Sequence, residues 1–333
     1  MTAAPLFVDA TLEAWEAVRD DGPWPALLLG NGASRAVWAP FAYDSLFEYA
    51  RLSSADRELF DVLHTRNFEL VLEGLRFARL VYVQDGLDAS QVDRRYESVQ
   101  QALARAVCDT HVARGAIPDS RLQVIGEALL CHEAVYQTSY DLLTYWALLT
   151  AAPGAFVDYF WNEQGGRLAF DPANAKPPRR TAVLYLHGGL HLYRLADGTT
   201  CKRRWSRGAN VLDMFGKDPA ESPVFVSEGT SAEKLRAIDA SVYLSFVNRL
   251  FREDSRPLVV FGHSLGEQDA HIAAAIGRHA DRRVAISVMP DDEAAVVKRK
   301  AELLHLLPSC RLRFFDATTH PLGKAELQLH PWA

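Results

Sequence analysis

The sequence predicts an α/β protein with a doubly wound, mostly parallel sheet that carries an inserted block of helices. The first observation behind this prediction is a set of short, unbroken apolar runs such as ALLLG, PLVVFG and VAISVM. Such runs are expected of parallel strands that are buried on both faces. The second is that helical stretches separate these runs through most of the chain, which is the βαβ order of a doubly wound fold.

Seven strands are predicted from the apolar runs and the turn residues that flank them. They are Ala26–Gly30, Ala134–Ser139, Ala182–Gly188, Pro223–Ser227, Pro257–Gly262, Arg283–Met289 and Arg311–Asp316. Helices are predicted between the later strands, at Ser231–Glu253, Glu267–Ala280 and Glu293–Leu307. Asp197-Gly198 within LYRLADGTTCKRRW predicts a hairpin turn, and the Pro-rich run DPANAKPPRR predicts a surface connection.

Residues 45–130 contain no convincing strand, so this block is predicted to be a helical insertion that packs as a lid or small domain. Its helices are expected at Asp56–Arg66, Phe68–Val83, Arg94–Ala113 and Arg121–Leu130. The whole chain, 1–333, is expected to form one domain. Within it, residues 22–44 and 131–320 are expected to form a Rossmann-like nucleotide-binding core.

Charge and composition exclude several classes of protein. The chain has 36 Lys and Arg against 42 Asp and Glu, so a protein that gains its affinity by neutralising nucleic-acid phosphates is not expected. No apolar run approaches the ~20 residues of a membrane helix, and the first residues do not resemble a signal peptide. The four cysteines are far apart and lack zinc-ligand spacing. We therefore expect a cytoplasmic protein with free thiols, no bound metal and no membrane partner.

Two predicted strands end in sequences that suit a ligand site, because ligands of open α/β sheets bind beyond the carboxyl ends of the strands. The first is LLLGNGAS, in which Gly30 and Gly32 permit a tight turn and the close approach of a phosphate. The second is TSYD, residues 138–141, whose short polar side chains can cap the following helix or face the ligand crevice. A simple glycine turn and a simple helix cap would explain either motif alone.

Two later strands also end in motifs that carry chemistry. In LYLHGGLH, His187 follows the strand and precedes Gly188, a position that suits a general base, although a lone histidine is more often structural. His187 and His191 suggest a metal pair, but no third ligand lies in register with them. The last motif, VVFGHSLGEQDAHI, contains a second Gly-x-Ser turn.

This second turn also permits a hydrolase interpretation. The run from Gly262 to Gly266 fits Gly-x-Ser-x-Gly, the nucleophile elbow of α/β-hydrolases. Ser264 would then be the nucleophile, with His320 and either Asp291 or Asp292 as its partners. Only the last 69 residues follow Ser264, which is short for the rest of that fold, and GNGAS and TSYD stay unexplained. A serine esterase is kept as an alternative prediction.

In order, GNGAS, TSYD, LHG and GHSL resemble the GAGxS, TxNxD, HG and GTSL elements of the Sir2 family, from residue 26 to about 317. NFELVL, YLHGGLHLY, VSEGTSAEKL and FGHSLGEQDAHI resemble the bacterial SIR2-like proteins of the DUF4917 type. Sirtuin deacylases carry a four-Cys zinc module between the HG and GTSL elements, where this chain has only Cys201. The resemblance therefore implies the branch that hydrolyses NAD to nicotinamide and ADP-ribose, commonly as an NAD-depleting effector of anti-phage defence.

The resemblance also implies roles for individual residues, with NAD as the substrate. His187 would act on the ribose hydroxyls or on water as a general base, and Asp141 would bind the nicotinamide carboxamide. The pyrophosphate and adenosine would be held by Gly30, Gly32, Ser34, Gly262 and Ser264. Further NAD-binding positions are Asn31, Thr138, Gly188 and Leu265.

Ser139 departs from the family pattern, which has Asn at this catalytic position. Asn offers a carbonyl and two N–H donors on a longer arm, whereas Ser offers one hydroxyl close to the backbone. A water could bridge that gap with looser geometry, so NAD turnover is affected more than NAD binding. A non-catalytic NAD or ADP-ribose sensor is therefore the first alternative, ahead of the serine esterase. In either case a homo-oligomer is expected, with an activating partner protein for an otherwise restrained enzyme.

Overall fold

The computed structural model describes residues 8–38, 46–152, 154–164, 166–174, 180–204, 221–226 and 230–329. Its strands, in chain order, are β1 Ala26–Leu29, β2 Ala134–Gln137, β3 Phe156–Val157, β4 Asn162–Gln164, β5 Arg167–Ala169, β6 Thr181–Tyr185, β7 Gly188–Arg194, β8 Thr200–Lys202, β9 Ser222–Phe225, β10 Leu258–Phe261, β11 Arg283–Val288 and β12 Arg311–Asp316. Every predicted strand is present, with ends that coincide or shift by at most three residues.

A seven-stranded parallel sheet forms the centre of the molecule, in the order β12-β11-β10-β1-β2-β6-β3. Every residue of β1, β2, β6 and β10 is buried, as their mostly apolar sequences require. The chain builds one half of the sheet from β1 outward through β2 and β6. It then crosses to β10 and builds the other half through β11 and β12. The sheet confirms the predicted Rossmann-like fold class, and the order reverses between β1 and β10, where such sheets bind ligands.

Helices flank this sheet and connect its strands. They are α1 Trp15–Asp20, α2 Asn31–Val37, α3 Leu46–Tyr49, α4 Ser54–Val62, α5 Phe68–Gln84, α6 Ser90–Thr110, α7 Asp119–Leu130, α8 Leu143–Ala151, α9 Ser231–Asp239, α10 Val242–Glu253, α11 Ala270–Gly277 and α12 Glu293–Leu306. The predicted helix Ser231–Glu253 is in fact the pair α9 and α10. The break arises because the Ser241 side chain caps a new helix by accepting from the Leu244 amide. None of the described helices has the length and apolarity that crossing a membrane would require.

The block between β1 and β2 is helical throughout its described part, as predicted. Side-chain caps start two of its helices, because Ser53 accepts from the Asp56 amide and Asn67 accepts from the Leu70 amide. α5 and α6 pack against each other, and α7 packs against α8 of the core. Its division from the core as a lid stays a prediction.

A second, five-stranded sheet lies beside the first, in the order β4-β5-β8-β7-β9, with antiparallel pairing. The predicted hairpin is confirmed as β7 and β8, with Gly198 at φ +88° in the turn. The prediction that Pro223–Ser227 is a strand of the parallel series is wrong. The strand found there, β9, pairs with β7 in the second sheet. Ser227 lies outside the described residues. β9 cannot join the parallel sheet next to β6, because β2 and β3 already pair with that strand.

Candidate active site

The loops that follow β1 and β10 contact each other backbone to backbone at the switch point of the sheet. A Cβ atom on Gly30 would lie 2.4 Å from the Gly262 carbonyl oxygen, and one on Gly32 would lie 2.6 Å from the same atom. Gly262 itself has φ +67°, which disfavours any residue with a side chain. The Gly32 amide donates to the Gly262 carbonyl oxygen at 2.8 Å, and the Gly30 amide donates to the Phe261 carbonyl oxygen at 2.9 Å. The close approach that these glycines permit is thus to the neighbouring loop, and their contact with a phosphate stays a prediction.

Beside this contact, three predicted site residues form one buried network. The Asp141 carboxylate accepts hydrogen bonds from the Ser34 hydroxyl at 2.5 Å and from the Ser139 hydroxyl. Its other oxygen accepts from the Leu143 amide at 2.8 Å and so caps the start of α8. All three polar side chains are buried. The sequence-predicted capping role therefore belongs to Asp141, and Ser34 and Ser139 fix its orientation.

The remaining residues of the first two motifs lie at the same edge of the sheet. Thr138 donates its hydroxyl to the Leu29 carbonyl oxygen at 3.1 Å, which ties the end of β2 to the end of β1. Asn31 is the first residue of α2 and is exposed. A small cavity of about 20 Å³ lies behind Ser139, with Gly30, Ser34 and Gln137 in its wall.

His187, which follows β6, belongs to a cluster of polar groups that sequence analysis did not assemble. Its Nε2 lies 3.0 Å from Nε2 of His271 and 4.0 Å from a carboxylate oxygen of Asp269. That same oxygen accepts from the Lys234 ammonium at 2.7 Å. The other oxygen lies 3.8 Å from Nε2 of His263. Three imidazoles, drawn from the ends of β6 and β10 and the start of α11, thus surround one carboxylate.

Burial sets the charge of this cluster. It lowers the pKa of His187 well below the ordinary 6.5, and it lowers the pKa of both His263 and His271 to about 4. Burial acts to raise the pKa of Asp269, but the Lys234 ammonium that donates to it holds that pKa down at about 2. Near pH 7 the cluster therefore contains three neutral imidazoles and one ion pair. A neutral imidazole is the form that a general base needs.

His187, Asp269 and His271 also place ligand atoms within 4.8 Å of one another, so they are of the right type and spacing to hold a metal ion. The Lys234 ammonium already neutralises Asp269 there, and a divalent cation would face that charge at close range. His187 and His191 do not form the metal-ligand pair that the sequence suggested. The His191 ring is buried and stacks on Tyr145, with the ring centroids 4.6 Å apart. We derive no metal chemistry from this cluster.

The two positions that flank the histidine motifs have backbone roles. Gly188 has φ +74°, and a Cβ there would lie 2.1 Å from the Val224 carbonyl oxygen, so this residue permits β9 to approach β7. Leu265 is buried with φ +49°, and its amide donates to Nδ1 of His263 at 2.9 Å. That bond leaves the proton of neutral His263 on Nε2, which faces Asp269.

Ser264 is exposed and shows no hydrogen bond to an imidazole among the described residues. The histidine proposed as its partner, His320, is buried between aromatic rings and accepts the Leu322 amide through Nδ1 at 3.1 Å. Asp291 does line the same cleft as Ser264. In the described part of the chain, a Ser–His–acid arrangement around Ser264 is therefore not formed.

A cleft of about 850 Å³ opens over the carboxyl ends of β10, β11 and β12. Its wall includes four of the residues singled out from the sequence, Gly32, Gly262, Ser264 and Asp291, and also His263. It also contains five charged side chains that sequence analysis missed: Arg35, Lys298, Arg299, Glu302 and Lys324. His263 links this cleft to the histidine cluster, because it lines the cleft and lies beside Asp269.

Several site residues could not be found from motifs alone. His271 and Asp269 fall inside the quoted run GEQDAHI, where their spacing of two gives no ligand signal. Lys234 lies in α9, within the quoted run VSEGTSAEKL, but that run gave it no chemical role, and only its burial at 5% exposure marks it. A lysine that is this buried needs a partner, which here is Asp269.

Comparison with known proteins gives three findings. A structure described as "Structural Basis for the Mechanism and Regulation of Sir2 Enzymes" is 14% identical, covering 91% of this chain and 90% of that one with a TM-score of 0.37. Among curated proteins there is no match. The family model for DUF4917, a domain of unknown function, matches residues 27–322, which is most of the chain. This protein therefore belongs to the DUF4917 family.

Proposed function

We propose that this protein binds NAD and hydrolyses it to nicotinamide and ADP-ribose. The observation that carries the proposal is the meeting of four strand-end loops, those after β1, β2, β6 and β10, at the switch point of one parallel sheet. These loops bring a buried hydroxyl–carboxylate network and a neutral histidine cluster to the same edge as a large cleft. Switch points of this kind are where doubly wound sheets bind nucleotides.

The cleft supports binding of the adenosine diphosphate part of NAD. Its volume of about 850 Å³ is in the range of small-molecule sites. Arg35, Lys298 and Lys324 line it and form no ion pair with the described residues, so they can face the pyrophosphate. Asp291, at the carboxyl end of β11, can accept hydrogen bonds from ribose hydroxyls.

The chemistry requires little acid catalysis, because nicotinamide leaves the anomeric carbon as a neutral group. The reaction is helped by a site that fixes the nicotinamide, stabilises positive charge that develops on the ribose and positions a water. Asp141 supplies a fixed negative charge beside Ser139. His187 supplies a neutral imidazole that takes the proton of the attacking water or of a ribose hydroxyl. We propose that the nicotinamide end of NAD reaches these two residues.

The second candidate is a sensor that binds NAD or ADP-ribose without turnover. Two observations favour it: Ser139 stands where the resembling family has Asn, and His187 is 3% exposed, so a substrate can reach it only after a local rearrangement. A defence role by NAD depletion, homo-oligomerisation and an activating partner protein remain parts of the same proposal. Light scattering coupled to size exclusion tests the oligomer directly.

One experiment separates hydrolysis from binding. Purified protein is incubated with NAD, nicotinamide release is followed by chromatography, and calorimetric titrations with NAD and ADP-ribose are run in parallel. Heat of binding together with nicotinamide release supports the hydrolase. Binding without release supports the sensor, and the absence of both in the correctly folded protein contradicts the proposed function. Arg35→Ala is a useful variant, because it should weaken binding while leaving the buried networks intact.

A further inference from the structure

His187 is held by a chain of hydrogen bonds that starts at the surface. Its Nε2 lies 3.0 Å from Nε2 of His271, and Nδ1 of His271 lies 3.1 Å from the Ser231 hydroxyl. Ser231 is the first residue of α9 and also accepts the backbone amide of His271 at 3.1 Å. The Ser231 hydroxyl therefore holds both the backbone and the ring of His271, while the ring also carries the contact to His187.

The number of available hydrogens restricts this series of hydrogen bonds to two tautomeric arrangements. Two neutral imidazoles whose nitrogens are 3.0 Å apart share one hydrogen, so one ring donates through Nε2 and the other accepts. If His271 donates, its Nδ1 must accept from Ser231. If His187 donates, Nδ1 of His271 carries the hydrogen and donates it to Ser231. The ring positions alone do not distinguish these tautomers.

The charges around the pair distinguish them. Among the described residues, the ionisable groups that act most on His187 all belong to the cluster: Asp269, Lys234, His271 and His263. The Asp269 carboxylate lies 4.0 Å from Nε2 of His187, and a nearby anion favours a hydrogen at that nitrogen. Lys234 anchors this carboxylate at 2.7 Å and keeps it on the Nε2 side of the ring.

From this geometry we infer that His271 is a positioning residue, which accepts the Nε2 hydrogen of His187 and so leaves Nδ1 of His187 as the basic nitrogen. Among the described residues Nδ1 of His187 forms no hydrogen bond, which leaves its lone pair available. The inference rests on the proposed function for its consequence in catalysis. The tautomers themselves are properties of the folded protein and do not depend on NAD.

The direct test is NMR of protein labelled with ¹⁵N at histidine, using long-range proton–nitrogen correlations at pH 7. The 11 histidines are assigned by single substitutions. We expect His187 with its hydrogen on Nε2 and His271 with its hydrogen on Nδ1. In His271→Ala, His187 should become a mixture of tautomers, whereas His271→Gln, whose amide oxygen can accept, should keep Nε2–H. Finding His187 protonated at Nδ1 in the unsubstituted protein overturns the inference.

The kinetic test uses the same variants. His271→Ala should lower kcat by about tenfold to a hundredfold, less than the 10²–10⁴ that a general base itself contributes, with KM changed less than twofold. His271→Gln should recover most of this loss. His305→Ala, which removes an exposed histidine from α12, is the matched control and should change neither constant.

Failure of this inference is distinguishable from failure of the proposed function. If the protein does not release nicotinamide, the proposed function fails and the NMR experiment still decides the tautomers. If it does release nicotinamide but His271→Ala leaves kcat unchanged, the positioning role is wrong. Stoichiometric zinc in the purified protein that disappears in His271→Ala would also overturn it, because His271 would then be a metal ligand.

Discussion

The Ser139 side chain satisfies the local fold but differs in its chemistry from the Asn of the resembling family. Its hydroxyl donates to Asp141, which caps α8, so the local structure is satisfied. Behind it lies a cavity of about 20 Å³, enough for a single water, and the Oε1 atom of Gln137 is buried there with no partner among the described residues. A longer amide at position 139 would have room and a hydrogen-bond acceptor.

We predict that Ser139→Asn raises NAD turnover by about tenfold or more. Loss of one positioned polar contact in comparable sites costs about 10²–10³ in rate, and the substitution restores such a contact. NAD affinity should change little, because the cleft that would bind adenosine does not include residue 139. Single-turnover kinetics at saturating NAD, with any required activator present, measures the effect.

The matched control for this prediction is Ser139→Ala, which removes the hydroxyl without adding an amide. It should be no faster than the natural protein. If the Asn variant is also no faster while Ser139 already supports rapid turnover, another residue holds the water, and our interpretation of this position is wrong.

His187 is the residue whose loss should abolish NAD cleavage. We predict that His187→Ala removes activity because it removes the neutral imidazole of the cluster that is proposed to take the proton. Circular dichroism and the melting temperature check that the variant remains folded. Full activity in a folded His187→Ala protein would contradict the proposed general-base role of His187.

Ser264 is predicted to be inert as a nucleophile. Its hydroxyl has no imidazole partner in the described structure, so nothing lowers the barrier to its attack. A fluorophosphonate probe should therefore leave the protein unlabelled, as judged by intact mass. Stoichiometric labelling that is lost in Ser264→Ala would contradict this prediction and support the serine esterase alternative.

At the scale of elements, the helical block is tied to the candidate site through His111. This histidine ends α6, and its Nε2 accepts the Leu142 amide at 3.0 Å, one residue after Asp141. Its Nδ1 faces the Val112 carbonyl oxygen at 2.8 Å, which gives the neutral ring one donor and one acceptor. Burial lowers the pKa of His111, so the ring remains neutral and the connection persists near pH 7. A change at Asp141 can thus reach the helices directly.

We predict that NAD slows amide hydrogen exchange within residues 46–130 as well as in the four strand-end loops. The physical reason is that a ligand which fixes Asp141 also fixes Leu142 and hence the end of α6. Exchange measured by mass spectrometry with and without NAD tests this, with His111→Ala as the variant that should uncouple the block. Protection confined to residues beyond 180 would contradict the prediction.

At the scale of the whole molecule, buried histidines make stability depend on pH. Burial lowers the pKa of His263 and His271 to about 4 and that of His320 to about 3. Because these folded-state values lie below the unfolded 6.5, the unfolded chain binds more protons as pH falls. The stabilisation is therefore complete above pH 6.5 and is lost progressively as pH falls toward 4.

We predict that the free energy of unfolding falls between pH 6.5 and 5 by roughly 1.5 kcal/mol for each such histidine. Urea unfolding at the two pH values measures the loss. His320→Gln should reduce the loss, since this ring is buried, whereas substitution of the exposed His305 serves as the control. Equal stability of the natural protein at both pH values would show that these imidazoles are solvated or already charged.

The sequence by itself determined six of the seven strands of the parallel sheet, the helical block and the four strand-end motifs. Local pattern suffices for these features, because a strand buried on both faces must be apolar throughout, and a chain that turns beyond it needs glycine or short polar residues. The DUF4917 resemblance followed from the same motifs and is confirmed by the family match. Ser139, Asp141 and His187 were singled out in this way.

Only the tertiary structure decided what those residues touch. Gly32 and Gly262 are 230 residues apart, and their contact exists because β1 and β10 are neighbours at the switch point. The histidine cluster joins His187 to His271, 84 residues later, beside a lysine and a carboxylate whose pairing no motif indicates. Sequence pattern records which face of an element is buried, but not which elements adjoin it. The partners of a buried polar group are therefore settled by strand order and packing alone.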